Sequence, residues 1–154
     1  VGNTIMVTFG LNTNGQLFTG NLNNVNSLNN RNISQLYLNN QKIKKVHCEA
    51  HHVMLETEDN EFYGSGHNSY GQLGLGTSIS PISTLSHVQK TGGLVNETIS
   101  AVSLAQYFSL FLTTTGKVYG AGINVKGQLM TGQSTEHSFV QIYQNVFTED
   151  IIKI

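Results

Sequence analysis

The chain has 154 residues, one ordinary domain's worth, with 8 basic and 9 acidic side chains and a formal net charge of -1. That balance speaks against the basic face on which counterion-driven nucleic-acid binding depends. Only 11% of residues are charged, against about 25% in an average domain, which argues against long disordered tails. No stretch approaches the ~20 apolar residues of a membrane span, and a lone cysteine, Cys48, leaves no intramolecular disulfide to form.

The chain opens Val1-Gly2-Asn3-Thr4, with neither an initiator Met nor the basic and apolar regions of a signal peptide. The expectation is an intracellular protein, cytoplasmic or nuclear, and a piece cut from a longer one. Asn3 to Phe9 reads as the middle of a repeat unit already under way. Of 17 asparagines, 11 fall between positions 12 and 40, where turn chemistry is the plain reading and a polar binding loop the sharper one. Lys42, Lys44 and Lys45 read as a solvated strand edge, and Cys48 as a small buried hydrophobe. Asn32-Ile33-Ser34 and Asn96-Glu97-Thr98 are glycosylation sequons of the kind an Asn-rich chain produces by chance.

Self-comparison is the most informative step, because a fixed period decides architecture before any local reading does. Residues 66–73 read Gly-His-Asn-Ser-Tyr-Gly-Gln-Leu and residues 122–129 read Gly-Ile-Asn-Val-Lys-Gly-Gln-Leu, identical at five of eight positions and 56 residues apart. At the same offset Phe62-Tyr63-Gly64 faces Val118-Tyr119-Gly120, Gly76 faces Gly132, and Val46 faces Val102. A weaker copy is expected at an offset of 45, with Leu17-Phe18 matching Phe62-Tyr63, Asn23 matching Asn68, and Asn21 and Asn26 replacing Gly66 and Gly71. The expected organisation is one partial domain over 1–154: a weak copy at 1–41, copies at 42–97 and 98–149, and the start of another at 150–154.

Within each copy the pattern is short strands and turns. Ile43 to Cys48, Val53 to Thr57, Glu61 to Gly64 and Ser83 to Val88 are expected strands. Ile99 to Leu104, Phe108 to Thr113, Lys117 to Gly120 and Phe139 to Tyr143 are their counterparts. Turns at Asp59-Asn60 and Thr115-Gly116 make hairpins, and Pro81 suits the entry to an edge strand. The fold class is therefore all-β: propeller blades of four-stranded antiparallel sheets, about three of them, as an open arc or a fragment of a ring.

The run Gly-x-Asn-x-x-Gly-Gln-Leu behind a Tyr-Gly and an apolar strand resembles the repeat signature of the regulator of chromosome condensation family. Residues 64–76 carry it most fully. Residues 120–132 carry it with Met130 and Thr131 where the family tends to have Gly and Leu. His52 matches a family His, but Glu49 replaces the Gly ahead of it, and the next copy has Ala105 and Phe108, so the member is a divergent one. Kelch and WD-type propellers are set aside because the chain has no Trp. The motif positions Gly64, Gly66, Asn68, Gly71, Gln72, Leu73, Gly120, Gly122, Asn124, Gly127, Gln128 and Leu129 are expected to be scaffold. The glycines supply positive φ and close approach, Asn and Gln bond the backbone, and the leucines enter the core between blades.

No chemistry is expected from the remaining polar residues. His51 and His52 would point to opposite faces of a strand and His47 lies beyond a turn, so no metal site is assigned. Glu56, Glu58, Asp59 and Glu61 read as exposed turn charge. No nucleophile elbow or phosphate loop is present, so no catalytic residue and no cofactor are assigned. The leading reading is a non-catalytic protein-binding propeller, with loop tips Ser69, Tyr70, Val125 and Lys126, and also Gly92 to Leu94, as places for a partner to dock. The resemblance implies, as one family activity, nucleotide exchange on a Ran-like small GTPase, which requires a closed ring of about seven blades. A propeller module targeting a larger ubiquitin ligase or kinase is the alternative. The light-sensing role of plant members needs clustered Trp, which these residues lack. An open arc exposes apolar faces and strand edges, so self-association is expected if the chain stands alone.

Overall fold

The structure, a computed structural model, describes residues 6–31, 38, 40–142 and 154. Two four-stranded sheets dominate it. One is the meander β3 (Ile43–Cys48), β4 (His52–Thr57), β5 (Phe62–Gly66) and β6 (Ile82–His87). The other is β7 (Ile99–Ala105), β8 (Phe108–Thr113), β9 (Val118–Ile123) and β10 (Thr135–Ile142). All pairings are antiparallel, and β1 (Met6–Gly10) and β2 (Val25–Arg31) form a two-stranded sheet ahead of them. A single 3-10 turn at Gly92–Leu94 links the two larger sheets. The fold is the expected all-β arc of propeller blades.

The repeat is legible in the backbone. The β3–β4 ladder shifts register between Ile43 and Lys45, and the β7–β8 ladder between Ile99 and Ala101, 56 residues on. Shifts next to the motif glycines fall between Thr8 and Gly10 in β1 and between Gly64 and Gly66 in β5. Positive φ recurs at Gly10, Gly66 and Gly122 (107°, 113°, 119°), where a bulge turns the strand into the motif loop. It recurs again at Gly15, Gly71 and Gly127.

These positions correct the reading of the first copy. The match at an offset of 45 is wrong: Gly10-Leu11-Asn12-Thr13-Asn14-Gly15-Gln16-Leu17 carries the motif intact at an offset of 56. Leu17-Phe18 lies in the motif turn and not in a strand, and Asn21, Asn23 and Asn26 do not occupy motif positions. β1 therefore corresponds to β5 and β9, and β2 to β6 and β10. The first sheet is the second half of a blade. The resemblance of 150–154 to a repeat start concerns residues outside those described, apart from Ile154, as does Tyr143.

Two apolar clusters pack the blades face to face, and a third covers the outer side of the third blade. Between the second and third blades, Phe62, Phe111 and Phe139 form a chain of rings, with centroids 4.7 Å and then 4.0 Å apart, backed by Met54, Val88, Leu94, Ile99, Tyr119 and Ala121. Between the first and second, Phe18, Leu38, Val53, Leu55, Tyr63 and Leu85 cluster. On the far side of the third blade, Leu112, Val118, Leu129 and Ile142 form the last group. The first strands β3 and β7 approach one another between sheets and so line the hub of the arc.

Two further expectations are overturned. Cys48 is exposed, not buried, because it ends the hub strand and borders a pocket there. Partial desolvation by the pocket walls raises its thiol pKa. Glu56 is buried rather than exposed turn charge. It lies inside β4, paired with Lys44 at 2.6 Å and His47 at 3.2 Å.

Candidate functional site

The motif builds one loop three times over. In the second blade the Asn68 side chain accepts the Leu73 N–H at 3.0 Å and donates to the carbonyls of Thr77 and Ile79. Gln72 Oε1 accepts the Tyr70 N–H at 3.1 Å. Asn124 repeats this with the Leu129 N–H at 2.6 Å and the Gln133 carbonyl at 2.7 Å, and Gln128 with the Lys126 N–H. Asn12 and Gln16 do the same for Leu17 and Asn14. One buried amide thus satisfies the backbone groups of a whole turn, which gives each loop a fixed shape without a ladder. Leu73 and Leu129 are fully buried, and they lie against Gly64 and Gly120, where an added Cβ would come within 3.0 Å and 2.7 Å of them. In the Asn-rich stretch Asn12, Asn21 and Asn24 are likewise engaged in local turn bonds.

The loop tips project residues onto one face. Ser69, Val125 and Lys126 are exposed and Tyr70 is half-buried. Only Tyr70 is gathered with other side chains. The turn after the first strand of each blade meets the motif loop of the blade before it, and at the junction of the second and third blades this brings four rings together. Tyr107 lies edge-on to Tyr70 at 5.2 Å and 5.8 Å from His67, while His51 lies 6.3 Å from His67 and 6.5 Å from Tyr107. All four are half-buried. Gln72 Nε2 stands 2.7 Å from His67 Nδ1, and Asn14 Nδ2 stands 3.4 Å from His51 Nδ1. Burial, helped by the neighbouring His51, lowers the His67 pKa, so His67 is neutral at pH 7.

Sequence reasoning passed over His51, His67 and Tyr107 as a group. The signal is a recurring separation of 37 residues between the motif loop and the turn or strand start of the next blade: 14 with 51, 70 with 107, and 72 with 109.

Beneath the rings lies a buried Ser–His contact. Ser109 Oγ donates to the Gln72 carbonyl at 2.8 Å, and His52 Nε2 lies 3.0 Å from the same oxygen. The serine's one proton is committed to the carbonyl, so His52 Nε2 must carry the hydrogen it shares with Ser109. That leaves His52 Nδ1 as a buried acceptor without a partner. Protonation would place a charge there with nothing to receive it, and burial lowers the pKa to about 4. With its proton engaged and no solvent access, Ser109 is a structural cross-brace, not a nucleophile.

Other titratable groups are also paired. Burial keeps His47 neutral despite its bond to Glu56. Burial opposes ionisation of Glu56, yet the bonds from Lys44 and His47 hold its carboxyl below the ordinary range. His87 Nε2 contacts Glu61 at 2.7 Å. Among the described residues no group of three or more His, Cys, Asp or Glu side chains is placed to hold a metal ion, and no helix is long and apolar enough to cross a membrane.

Consecutive antiparallel blades joined by identical buried-amide loops at a constant 56-residue step define a partial β-propeller. The regulator of chromosome condensation (RCC1) repeat matches residues 99–128. The chain is thus a divergent, partial propeller similar to those of that repeat. It is 33% identical over 105 residues to the dog X-linked retinitis pigmentosa GTPase regulator, covering 68% of this chain and 10% of that one. It is 34% identical over 92 residues to the human probable E3 ubiquitin-protein ligase HERC3, covering 60% and 8%. Among solved structures it superimposes on Prp20p from Saccharomyces cerevisiae, a protein with binding properties toward Gsp1p and histones, at a TM-score of 0.76. That match has 13% identity and covers 94% of this chain and 35% of that one. Human WBSCR16 matches at a TM-score of 0.71 and 20% identity, over 89% and 34%. The chain thus spans about a tenth of the curated relatives and about a third of the solved propellers it matches.

Proposed function

We propose that the chain is a non-catalytic protein-binding arc of a propeller, and that its partner docks on the face where His51, His67, Tyr70 and Tyr107 meet. The observation that carries this reading is the ring cluster itself: four amphipathic rings, half-buried, held by two blades and backed by a cross-braced core. Rigid aromatic side chains with one polar edge lose little freedom on binding and are enriched among the residues that dominate interface energy. Ser69 belongs to the same loop, and Val125 and Lys126 extend the face onto the third blade. The likeness to Prp20p supports a Ran-like small GTPase as the protein to try first, and exchange on it belongs to the complete ring. Binding and not bond-making is the chemistry this face offers.

A second reading rests on the match to HERC3: a targeting propeller within a larger ligase, whose catalysis lies in other domains.

The test is direct binding between the purified chain and a Ran-family GTPase in its nucleotide-free state, followed by calorimetry. Binding that falls at least about tenfold in Tyr70→Ala and Tyr107→Ala, as expected of hot-spot rings, supports the reading. Binding indifferent to both substitutions, with the fold intact, places the partner elsewhere. No binding to the GTPase, with binding to a ligase substrate instead, favours the second reading.

A further inference from the structure

The motif loop of the second blade differs from its two copies at a residue that changes what the face can donate. In all three loops the motif Gln accepts a backbone N–H through Oε1: Gln16 from Asn14 at 3.0 Å, Gln72 from Tyr70 at 3.1 Å and Gln128 from Lys126 at 2.9 Å. That bond fixes which end of the amide is which, so Gln72 turns its Nε2 toward His67 Nδ1, 2.7 Å away. An amide NH2 donates and does not accept. Nδ1 must therefore be the acceptor, and the one proton of the neutral ring sits on Nε2. At the same position the other two blades have Leu11 and Ile123, which neither take that bond nor offer a proton.

Two hydroxyls join this N–H. The buried Tyr63 and Tyr119 direct their hydroxyls to Gln41 and Gln141. Among the described residues Tyr70 and Tyr107 have no such partner, and neither has His67 Nε2. The one buried side-chain nitrogen or oxygen left without a bond there is His52 Nδ1, so these three polar atoms are open to solvent. Their rings form a triangle with centroids 5.2, 5.8 and 6.0 Å apart. None of the side chains gathered at it is acidic, and Glu49, on the turn that carries His51, has an oxygen engaged by the Ala50 N–H at 3.0 Å.

We propose that this triangle binds a carboxylate: the side chain of an Asp or Glu that a protein partner lays against the rings, held by His67 Nε2–H and the hydroxyls of Tyr70 and Tyr107. The inference rests on the docking face proposed above and names the group that face selects. A carboxylate has two oxygens and about four lone-pair sites, enough for three donors, whereas a single carbonyl oxygen has two. Bonds from N–H and O–H to an ionised oxygen are about twice as strong as those between neutral groups. A phosphate brings nearly two charges and calls for Arg or Lys, and neither is among the residues of the triangle. An ammonium or guanidinium would leave the His67 proton without an acceptor.

The test titrates the 154-residue chain with three probes that share a phenyl group and differ in head: phenylpropionate, phenylpropionamide and phenylpropylammonium. The imidazole and tyrosine ring signals are followed by NMR. Before any probe is added, His67 should show its proton on Nε2 at pH 7. Phenylpropionate should then shift His67, Tyr70 and Tyr107 saturably and bind at least about tenfold more tightly than the amide. Tyr70→Phe and Tyr107→Phe keep the rings and remove the hydroxyls, and each should cut that preference at least about threefold while leaving the amide's affinity unchanged. His67→Leu, the residue of the first blade, should cut it likewise. Equal affinity for the three probes at the rings would overturn the carboxylate and leave the docking face standing. No saturable shift at the rings would overturn it too, while GTPase binding lost in Tyr70→Ala would still uphold the face. A preference for the ammonium, an anion preference indifferent to all three substitutions, or a proton found on His67 Nδ1 would also sink the proposal.

Discussion

The two blade junctions are built from the same repeat and solve the same packing problem with opposite residues. At the junction of the second and third blades the residue after the motif leucine is Gly74, and Phe139 of the third blade lies over it, 2.3 Å from where a Cβ would sit. At the junction of the first and second blades the corresponding positions are Phe18 and Ser83. There the large side chain comes from the loop and the small one from the strand, and Phe18 joins Val53, Leu55 and Tyr63. Volume is conserved across the pair while its ownership is exchanged, as expected where interiors pack to constant density. The exchange is not free. Phe18 adopts φ 43° to reach the cluster, a conformation glycine takes without strain.

Truncation at matched positions should separate the junctions most strongly. Phe111 and Leu55 are equivalent in the repeat and both fully buried. Phe111→Ala removes the middle ring of the Phe62–Phe111–Phe139 chain and should lose about 4 kcal/mol of unfolding free energy, whereas Leu55→Ala should lose about 3. Urea unfolding of the two variants checks this. Equal losses would mean that the ring chain adds nothing beyond its buried area.

The motif glycines sharpen the comparison. Gly66→Ala drives a Cβ into the backbone of His51 and His52 and should destabilise by about 3 kcal/mol. Gly10→Ala carries the same φ penalty with nothing to strike, and about 1 kcal/mol is expected. Thermal melts of both variants check this, and equal losses would mean that the contact with His51 and His52 relaxes without cost.

The cross-brace gives the second junction a pH dependence of its own. Folding lowers the His52 pKa from about 6.5 to about 4, so below pH 6.5 the unfolded chain binds the extra proton and the folded one does not. The stability is present above pH 6.5 and is lost as pH falls toward 4, amounting to about 2 kcal/mol between pH 7 and pH 5. His47 and His67, also lowered by burial, act in the same direction. His52→Phe, which installs the residue that the third blade has as Phe108, should remove the largest part of the slope in denaturant midpoints measured across this range.

Much of this architecture could be read from residues alone, for a physical reason. Short β-branched and aromatic runs between Asn and Gly turns mark hairpins locally, so β3 and β8 run over the expected residues. β5 extends to Gly66, two residues further than its composition suggests, because Gly-Ser-Gly looks like loop until β4 is there to pair with it. The first copy was legible in Gly10 to Leu17, but the apolar pair Leu17-Phe18 imitates a strand start and draws the alignment to the wrong offset. Cys48 and Glu56 misled for a related reason: residue type suggests burial, but which side of a strand faces the hub is set by the neighbouring blade. The ring cluster was the least legible part, since it exists only where one blade's turn meets the previous blade's loop.

The smallest expected effect lies at the repeat's third use of the same backbone position. Met130 occupies the site of Gly74 and Phe18, at φ 50°. Unlike Phe18 it is 49% exposed, so little packing compensates for the left-handed backbone. Met130→Gly should therefore stabilise the chain by about 1 kcal/mol, the strain of a left-handed non-glycine residue, less the glycine's greater unfolded-state freedom. The same change at Phe18 relieves similar strain but empties a buried ring site, and should destabilise by about 2 kcal/mol or more. Opposite signs at two positions with one backbone geometry, read from denaturant midpoints, would show that side-chain burial and not the turn decides which residue the loop tolerates. A loss of stability in Met130→Gly would mean that Met130 contributes packing its exposure does not reveal.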